Sequence, residues 1–405
     1  MQNDLKKKVY VCSNGCNRRL LDADRVKRYF RLNGWQLCDS PNETDYNLFF
    51  ASALNRVRID ESFDIIKRLS RFPGETIVLG CIMEVAPTEF KERWKGKALA
   101  VKDMNDIDDF FPSFEIKYRD VTLANTPIPS RNIYKTISPS SFLKQRIALA
   151  LSPRQVADKL YSYVHREQKE NYNSSFIWVS TGCPNKCSFC AERKVVGELR
   201  SRPLEEIVKE YSDLLSEGKR HFEFIGDDIG SYGLDRNSSF PELVAALHKT
   251  DSDYEVHWVI KHIHPKFIIR YQDELIDLAR LGKIQELICS FQTGSNRLLD
   301  LMSRQHHIEE IISTLKRFRK LLPNLRLATN IIVGFPTETD EEFMQTLKVF
   351  DQVWFDRVHM IKYYNAEGSD SFDLEPKVSD EKISARIHLA KKFLKERNIY
   401  FQTRD

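Results

Sequence analysis

Phe176-Ile-Trp-Val-Ser-Thr-Gly182-Cys183-Pro-Asn-Lys-Cys187-Ser-Phe-Cys190 is the stretch whose reading decides the fold. Its opening is aromatic and β-branched, as in a strand buried on both faces. Gly182 and Pro184 end the run, and three cysteines follow at once. A strand that empties into such a loop sets chemistry at its carboxyl end, where α/β sheets and barrels keep their sites. The same βα rhythm continues downstream. Strands are expected at 176–179, 221–225, 255–260, 286–290, 325–333 and 357–363. Helices are expected at 204–216, 241–249, 266–281, 308–321 and 340–350, with Pro265 as a helix-start signal. Six strands with intervening helices predict a parallel, partial (βα)6 barrel. Residues 380–397 read as a terminal amphipathic helix.

Upstream the rhythm is similar but smaller. Strands are expected at 8–12, 35–38, 46–51, 76–79 and 98–101, and helices at 20–32 and 61–71. This alternation predicts an α/β fold with a small doubly wound, flavodoxin-like sheet. Residues 102–172 are less regular, with Ser152-Pro153 marking a helix start that runs to about 165. The expected domains are therefore 1–125 (α/β), 126–172 (linker), 173–375 (barrel) and 376–405 (terminal helix).

Charge and cysteine usage narrow the function. Against 62 Lys+Arg stand 58 Asp+Glu, a net +4 over 405 residues, which excludes a polybasic nucleic-acid binder. Arg25, Lys27, Arg28 and Arg31 form a local basic face that reads as solvated rather than phosphate-binding. No apolar run reaches membrane length, and the start lacks a signal peptide, so a cytoplasmic location is expected. The eight cysteines are then poor disulfide candidates and better metal ligands or thiols.

Cys183, Cys187 and Cys190 carry the strongest signal. Thiolates at this spacing can hold three irons of one 4Fe–4S cluster and leave the fourth open to a chelating amine and carboxylate. That is the arrangement of radical S-adenosylmethionine (SAM) enzymes, in which the cluster reduces the sulfonium of SAM and the barrel positions it. The alternative is structural zinc. Zinc wants a second ligand pair, and none stands nearby.

Five further strings, in order along the barrel, carry a resemblance. They are Gly197-Glu-Leu-Arg-Ser-Arg-Pro203, the run from Phe222 to Asp235 with its Ser231-Tyr-Gly233, Gln292-Thr-Gly-Ser295 with Met302-Ser-Arg304, Thr329 to Thr339, and Tyr364-Asn-Ala-Glu-Gly-Ser369. With them the chain resembles the radical SAM methylthiotransferases, which insert sulfur into C–H bonds and methylate it. The resemblance implies that Cys183, Cys187 and Cys190 bind the catalytic cluster. It implies that Gly226 and Asp227 receive the ammonium of SAM, Ser290 and Gln292 its ribose, and Arg304 its carboxylate. Phe189 and Val333 would lie against the adenine or cluster. Core packing is the alternative for Phe189, and a solvated helix charge for Arg304. Asn330 stands where the family has Asp, which removes a charge near the mouth. Cys289 reads as packing.

The family carries a second, auxiliary cluster in its amino-terminal domain. Gly15-Cys16-Asn17 matches its first ligand motif and Gly80-Cys81 its third, but Ser52 stands where the middle Cys is expected. Serine is a far poorer iron ligand than thiolate. Three readings stay open: Cys12 or Cys38 replaces the ligand, the site is a relic, or Ser52 itself completes it.

The family typically closes on a small β-barrel, the TRAM domain, and no segment for it follows residue 400. The expected function is thus C–S bond formation on a peptide or small natural-product precursor, with flavodoxin or ferredoxin as electron donor and with neither tRNA nor membrane as partner. The alternatives are radical SAM chemistry without sulfur transfer, and a tRNA or ribosomal-protein methylthiotransferase lacking TRAM.

Overall fold

The computed structural model describes residues 7–123, 125 and 175–404. The expected linker and its helix from Ser152 lie outside the described residues. The chain divides into two compact units, Met1–Ser174 and Ser175–Asp405.

The first unit is a five-stranded parallel sheet: β1 (Lys8–Ser13), β2 (Gln36–Cys38), β3 (Tyr46–Ala51), β4 (Glu75–Gly80) and β5 (Ala98–Ala100), in the order β2-β1-β3-β4-β5. That is the flavodoxin-like order. The central strands are buried along their length because helices cover both faces. Helix α1 (Asn17–Leu32) buries Val26, Tyr29 and Phe30 against one face. Helix α2 (Arg56–Leu69) begins earlier than expected because Asn55 caps it, its side chain accepting from Arg58 N–H at 3.0 Å.

The acidic–aromatic stretch after β5 belongs to this unit. Phe111, Phe114 and Tyr118 join Tyr29 and Phe30 in the core, and Tyr29 Oη donates to Asp108 at 2.7 Å. Arg25 donates to the carbonyls of Val121 and Tyr118, 3.0 Å each, and lies 4.3 Å from the Tyr118 ring. Arg28 pairs with Asp24 at 3.2 Å. Two members of the basic face are thus spent on internal contacts.

The second unit is a barrel of two parallel arcs sharing one core. The first arc holds β6 (Ser175–Trp178), β9 (His221–Ile225) and β10 (His257–Val259), in the order β10-β9-β6. A short hairpin, β7 (Ser180–Thr181) with β8 (Arg200–Ser201), brackets the cysteine loop. The second arc holds β11 (Glu286–Ile288), β12 (Arg326–Val333), β13 (Arg357–Lys362) and β14 (Tyr400–Arg404), in that order. Trp258 N–H donates to the Lys283 carbonyl at 2.6 Å across the seam between the arcs.

Two expectations are corrected here. The helix expected at 266–281 is two helices, Pro265–Arg270 and Gln272–Arg280, broken at Tyr271. The segment 376–405 is more than a helix: Asp380–Glu396 leads into β14, which pairs in parallel with β13. Buried Arg386 ties that helix to Glu338 and Asp340, at 2.8 Å each, and Glu338 in turn accepts from Gly334 N–H at 2.7 Å. The last helix therefore braces the turn that follows β12.

Candidate active site

The cysteine loop is held from several sides. Gly182, at φ +79°, turns the chain where any Cβ would lie 1.9 Å from the Glu198 carbonyl. Its N–H donates to Asp227 at 2.7 Å. Ser188 donates from N–H to the Met302 carbonyl at 3.0 Å and from Oγ to the Leu301 carbonyl at 2.7 Å. Its own carbonyl accepts from Ser371 N–H at 2.9 Å. A loop with so many backbone anchors presents its thiols in a fixed array.

The thiols themselves are braced. Arg304 donates from Nη1 to Cys187 Sγ at 3.2 Å and from Nη2 to the Ser290 carbonyl at 2.8 Å. Asn185 donates to Cys183 Sγ at 3.3 Å and to Asp228, whose other oxygen accepts from His264 N–H at 3.0 Å. Burial pushes the Cys183 thiol up to about 11, helped by nearby Asp228, and pushes Cys190 up to about 12. Both wait on a cationic partner to ionise. Among the described residues no three His, Cys, Asp or Glu side chains gather round a single ion position. Cubane binding needs no such convergence, because each thiolate takes its own iron.

Around the loop several buried polar atoms lack partners among the described residues: Ser180 Oγ, Asn185 Oδ1, Gln292 Oε1, Arg304 Nε and both ring nitrogens of His306. Native proteins rarely leave such groups unmet. Donors and acceptors together suit a zwitterionic, hydroxyl-bearing ligand. The three thiols, the cationic Arg304 and this polar lining fit a 4Fe–4S cluster with SAM.

The structure gathers most of the expected residues here. Gly226 directly follows β9, and a Cβ on it would lie 2.9 Å from Ser180 Oγ, so the bare backbone keeps the mouth open. Asp227 is engaged by Gly182. Ser290 Oγ accepts from Asn330 Nδ2 at 2.7 Å, and Asn330 Oδ1 meets His359 Nδ1 at 3.1 Å. Gln292 takes a left-handed φ of 70° and bridges to β12. Arg304 is only 8% exposed, which removes the solvated-helix alternative.

Two of the expected residues lie in apolar clusters. Val333 lies in the main core with Ile331, which shares its face of β12, and with Phe343 of the helix that follows. Ile332, one residue before it, is on the other face, with Met302 and Phe335. Phe189 packs with Leu298, Met302, Ile332 and Phe335, its core alternative. Cys289 is fully buried in the barrel core. The reading from sequence missed Asn185, Asp228, His264 and His306. Only the adjacency of Asn185 to the cysteines and the paired Asp227-Asp228 offered a signal.

At the amino-terminal sheet, Cys16 caps α1, Ser52 follows β3 and Cys81 follows β4. Ser52 N–H donates to Asn14 Oδ1 at 2.9 Å, its carbonyl accepts from Ser62 Oγ at 2.7 Å, and Cys81 N–H donates to the Ala51 carbonyl at 3.0 Å. Cys12 lies inside β1, its thiol pushed up to about 12 by burial, which outweighs a bond to Tyr10. Cys38 ends β2, and its register opposite Tyr10 sets it beside Lys8 and Asp45.

Residues 177–350 match the model of the radical SAM superfamily. That match lies within the barrel unit. The chain is 26% identical over 401 residues to the ribosomal protein uS12 methylthiotransferase RimO of Chlamydia felis, spanning 96% of this chain and 78% of that protein. It is 28% identical over 376 residues to the enzyme of the same name from Carboxydothermus hydrogenoformans, spanning 92% and 78%. The fold is similar to that of the radical SAM methyltransferase TsrM from Kitasatospora setae, at a TM-score of 0.62 and 10% identity over 91% of this chain and 77% of that one. The cobalamin-dependent enzyme OxsB gives a TM-score of 0.54 at 12% identity, covering 97% of this chain and 56% of that one. The match and these relatives indicate an enzyme that uses a 4Fe–4S cluster and SAM. No helix among the described residues is long and apolar enough to cross a membrane.

Proposed function

We propose that this chain is a methylthiotransferase acting on a protein segment, with a ribosomal protein of the uS12 kind as its first candidate substrate. The relatives support this alternative over a small natural product, since those named act on ribosomal protein uS12. The observation that carries the reading is the braced three-thiol loop with unpaired polar atoms around it. Cys183, Cys187 and Cys190 would hold the cluster. Asn185 and Arg304 would share the charge of two thiolates through hydrogen bonds, which holds those ligands in place. Arg304 Nε and His306 would take the carboxylate of SAM, Gln292 a ribose hydroxyl, and bare Gly226 would admit its ammonium. When bound, the cluster supplies one electron to the sulfonium of SAM, which makes a species able to take hydrogen from an unactivated carbon. Cys16 and Cys81, with Ser52 as the third loop, would hold an auxiliary sulfur-bearing cluster. Cys12 is a weaker partner because it is packed within β1. A flavodoxin- or ferredoxin-type donor would supply the electron.

Ser52 favours a second reading on the same barrel, radical chemistry without sulfur transfer. One assay separates the two. Reduced enzyme, SAM and uS12 are incubated anaerobically, and 5′-deoxyadenosine and the mass of the protein product are measured. Deoxyadenosine with a methylthio mass gain supports the proposal. Deoxyadenosine with no gain of sulfur on uS12 sinks it.

A further inference from the structure

The strand-end site of the amino-terminal sheet holds a cation that its thiols alone do not explain. Arg19 lies in the first turn of α1, and its stem covers Gly15, where a Cβ would sit 2.4 Å from Arg19 Cβ. It is 4% exposed. Its Nε reaches Asp22 at 3.2 Å, yet Nη1 is buried with no hydrogen-bond partner among the described residues. Cys81 and Cys16 both lie close enough to act on its charge. Leaving a guanidinium N–H buried and unmet is costly, so such a group normally completes itself on a bound anion. The geometry narrows where that anion sits. Asn14 and Ser62 pin the Ser52 backbone, and Cys81 is tied to Ala51, so these loops share one end of the sheet. Carboxyl ends of the strands are where such sheets bind ligands.

We infer that Arg19 is a positioning residue which donates from Nη1 to an anionic iron–sulfur core held on Cys16 and Cys81, anchoring it where Ser52 supplies no thiolate. The inference rests on the auxiliary-cluster reading above. Two thiolates with a guanidinium carry much less negative charge than three thiolates would. The auxiliary group is therefore easier to reduce here than at a three-thiolate site, and its potential depends on Arg19.

The test compares full-length wild type, R19Q and R19K, purified anaerobically. Iron and sulfide are quantified, the auxiliary potential is titrated, and the SAM-dependent EPR signal of the barrel cluster serves as the control. The expected result is about eight irons in wild type, about four in R19Q with the barrel signal unchanged, and an intermediate value in R19K, which keeps charge but loses the fork. Eight irons in R19Q with an unmoved potential would overturn the role of Arg19 and leave the auxiliary cluster standing. About four irons in wild type, with the barrel signal intact, would overturn the auxiliary cluster and the inference with it. If R19Q does not fold, R19K decides: wild-type iron with an unmoved potential overturns the inference.

Discussion

The two strand-end sites of this chain are built from the same residue type and braced in different ways. In the barrel all three cysteines sit on one continuous loop, and two of the thiols accept hydrogen bonds, from Arg304 and Asn185. In the amino-terminal sheet the positions come from three separate loops, one holds Ser52, and the only buried cation nearby, among the described residues, keeps an unmet donor on Arg19. The contrast teaches that a site complete in its ligands needs its neighbours only to hold them. A site short of a ligand must find charge and hydrogen bonds elsewhere.

The largest expected effect falls on the complete site. Replacing Cys187 with Ala should remove about four irons and take SAM cleavage below detection. Retained cleavage would break the comparison outright. Next comes Arg304, which touches both a ligand thiol and the strand-end carbonyl. R304K should weaken SAM binding about 10- to 100-fold, the usual range for groups that orient metal ligands, as read by equilibrium dialysis. An unchanged affinity would return Arg304 to a purely structural role.

A pH effect should follow from His306. Burial, with Arg304 second, lowers its imidazole from 6.5 to about 3. Its folded pKa lies below its unfolded one, so the stability it contributes is present above about 6.5 and is lost as pH falls towards about 3. The slope is at most about 1.4 kcal/mol per pH unit. Thermal melts of the apoprotein between pH 7 and 5 should therefore show a steeper fall in wild type than in H306N. The smallest effect concerns Phe189. F189L keeps most of the apolar contact with Met302 and Phe335, so SAM affinity should change less than about threefold while Tm drops by a few degrees. A large affinity loss with an unmoved Tm would place the ring against the ligand instead of the core.

Local signals made much of the fold legible. Periodicity and flanking breaks set Leu204–Ser216 and Ile308–Leu321 to the residue, and the aromatic and apolar runs did so for Tyr46–Ala51 and His221–Ile225. What escaped depends on distant partners. Strand β14 forms because β13 offers an edge, and the break at Tyr271 is not marked by Gly or Pro. Strand alternation sets Val333 in the main apolar core, on the face of β12 opposite Ile332. In the site, the cysteines and Arg304 were readable from spacing and resemblance. Asn185, Asp228 and His306 were not, because their work lies in buried hydrogen bonds, or in buried atoms left open, that only the fold assembles.

The central claim is that two iron–sulfur sites of unequal construction share this chain. The most direct test is the iron and sulfide content, with Mössbauer spectra, of anaerobic wild type and of a Cys183/Cys187/Cys190→Ala triple variant. The account predicts about eight irons in wild type and about four in the variant. About four in wild type and none in the variant would contradict it.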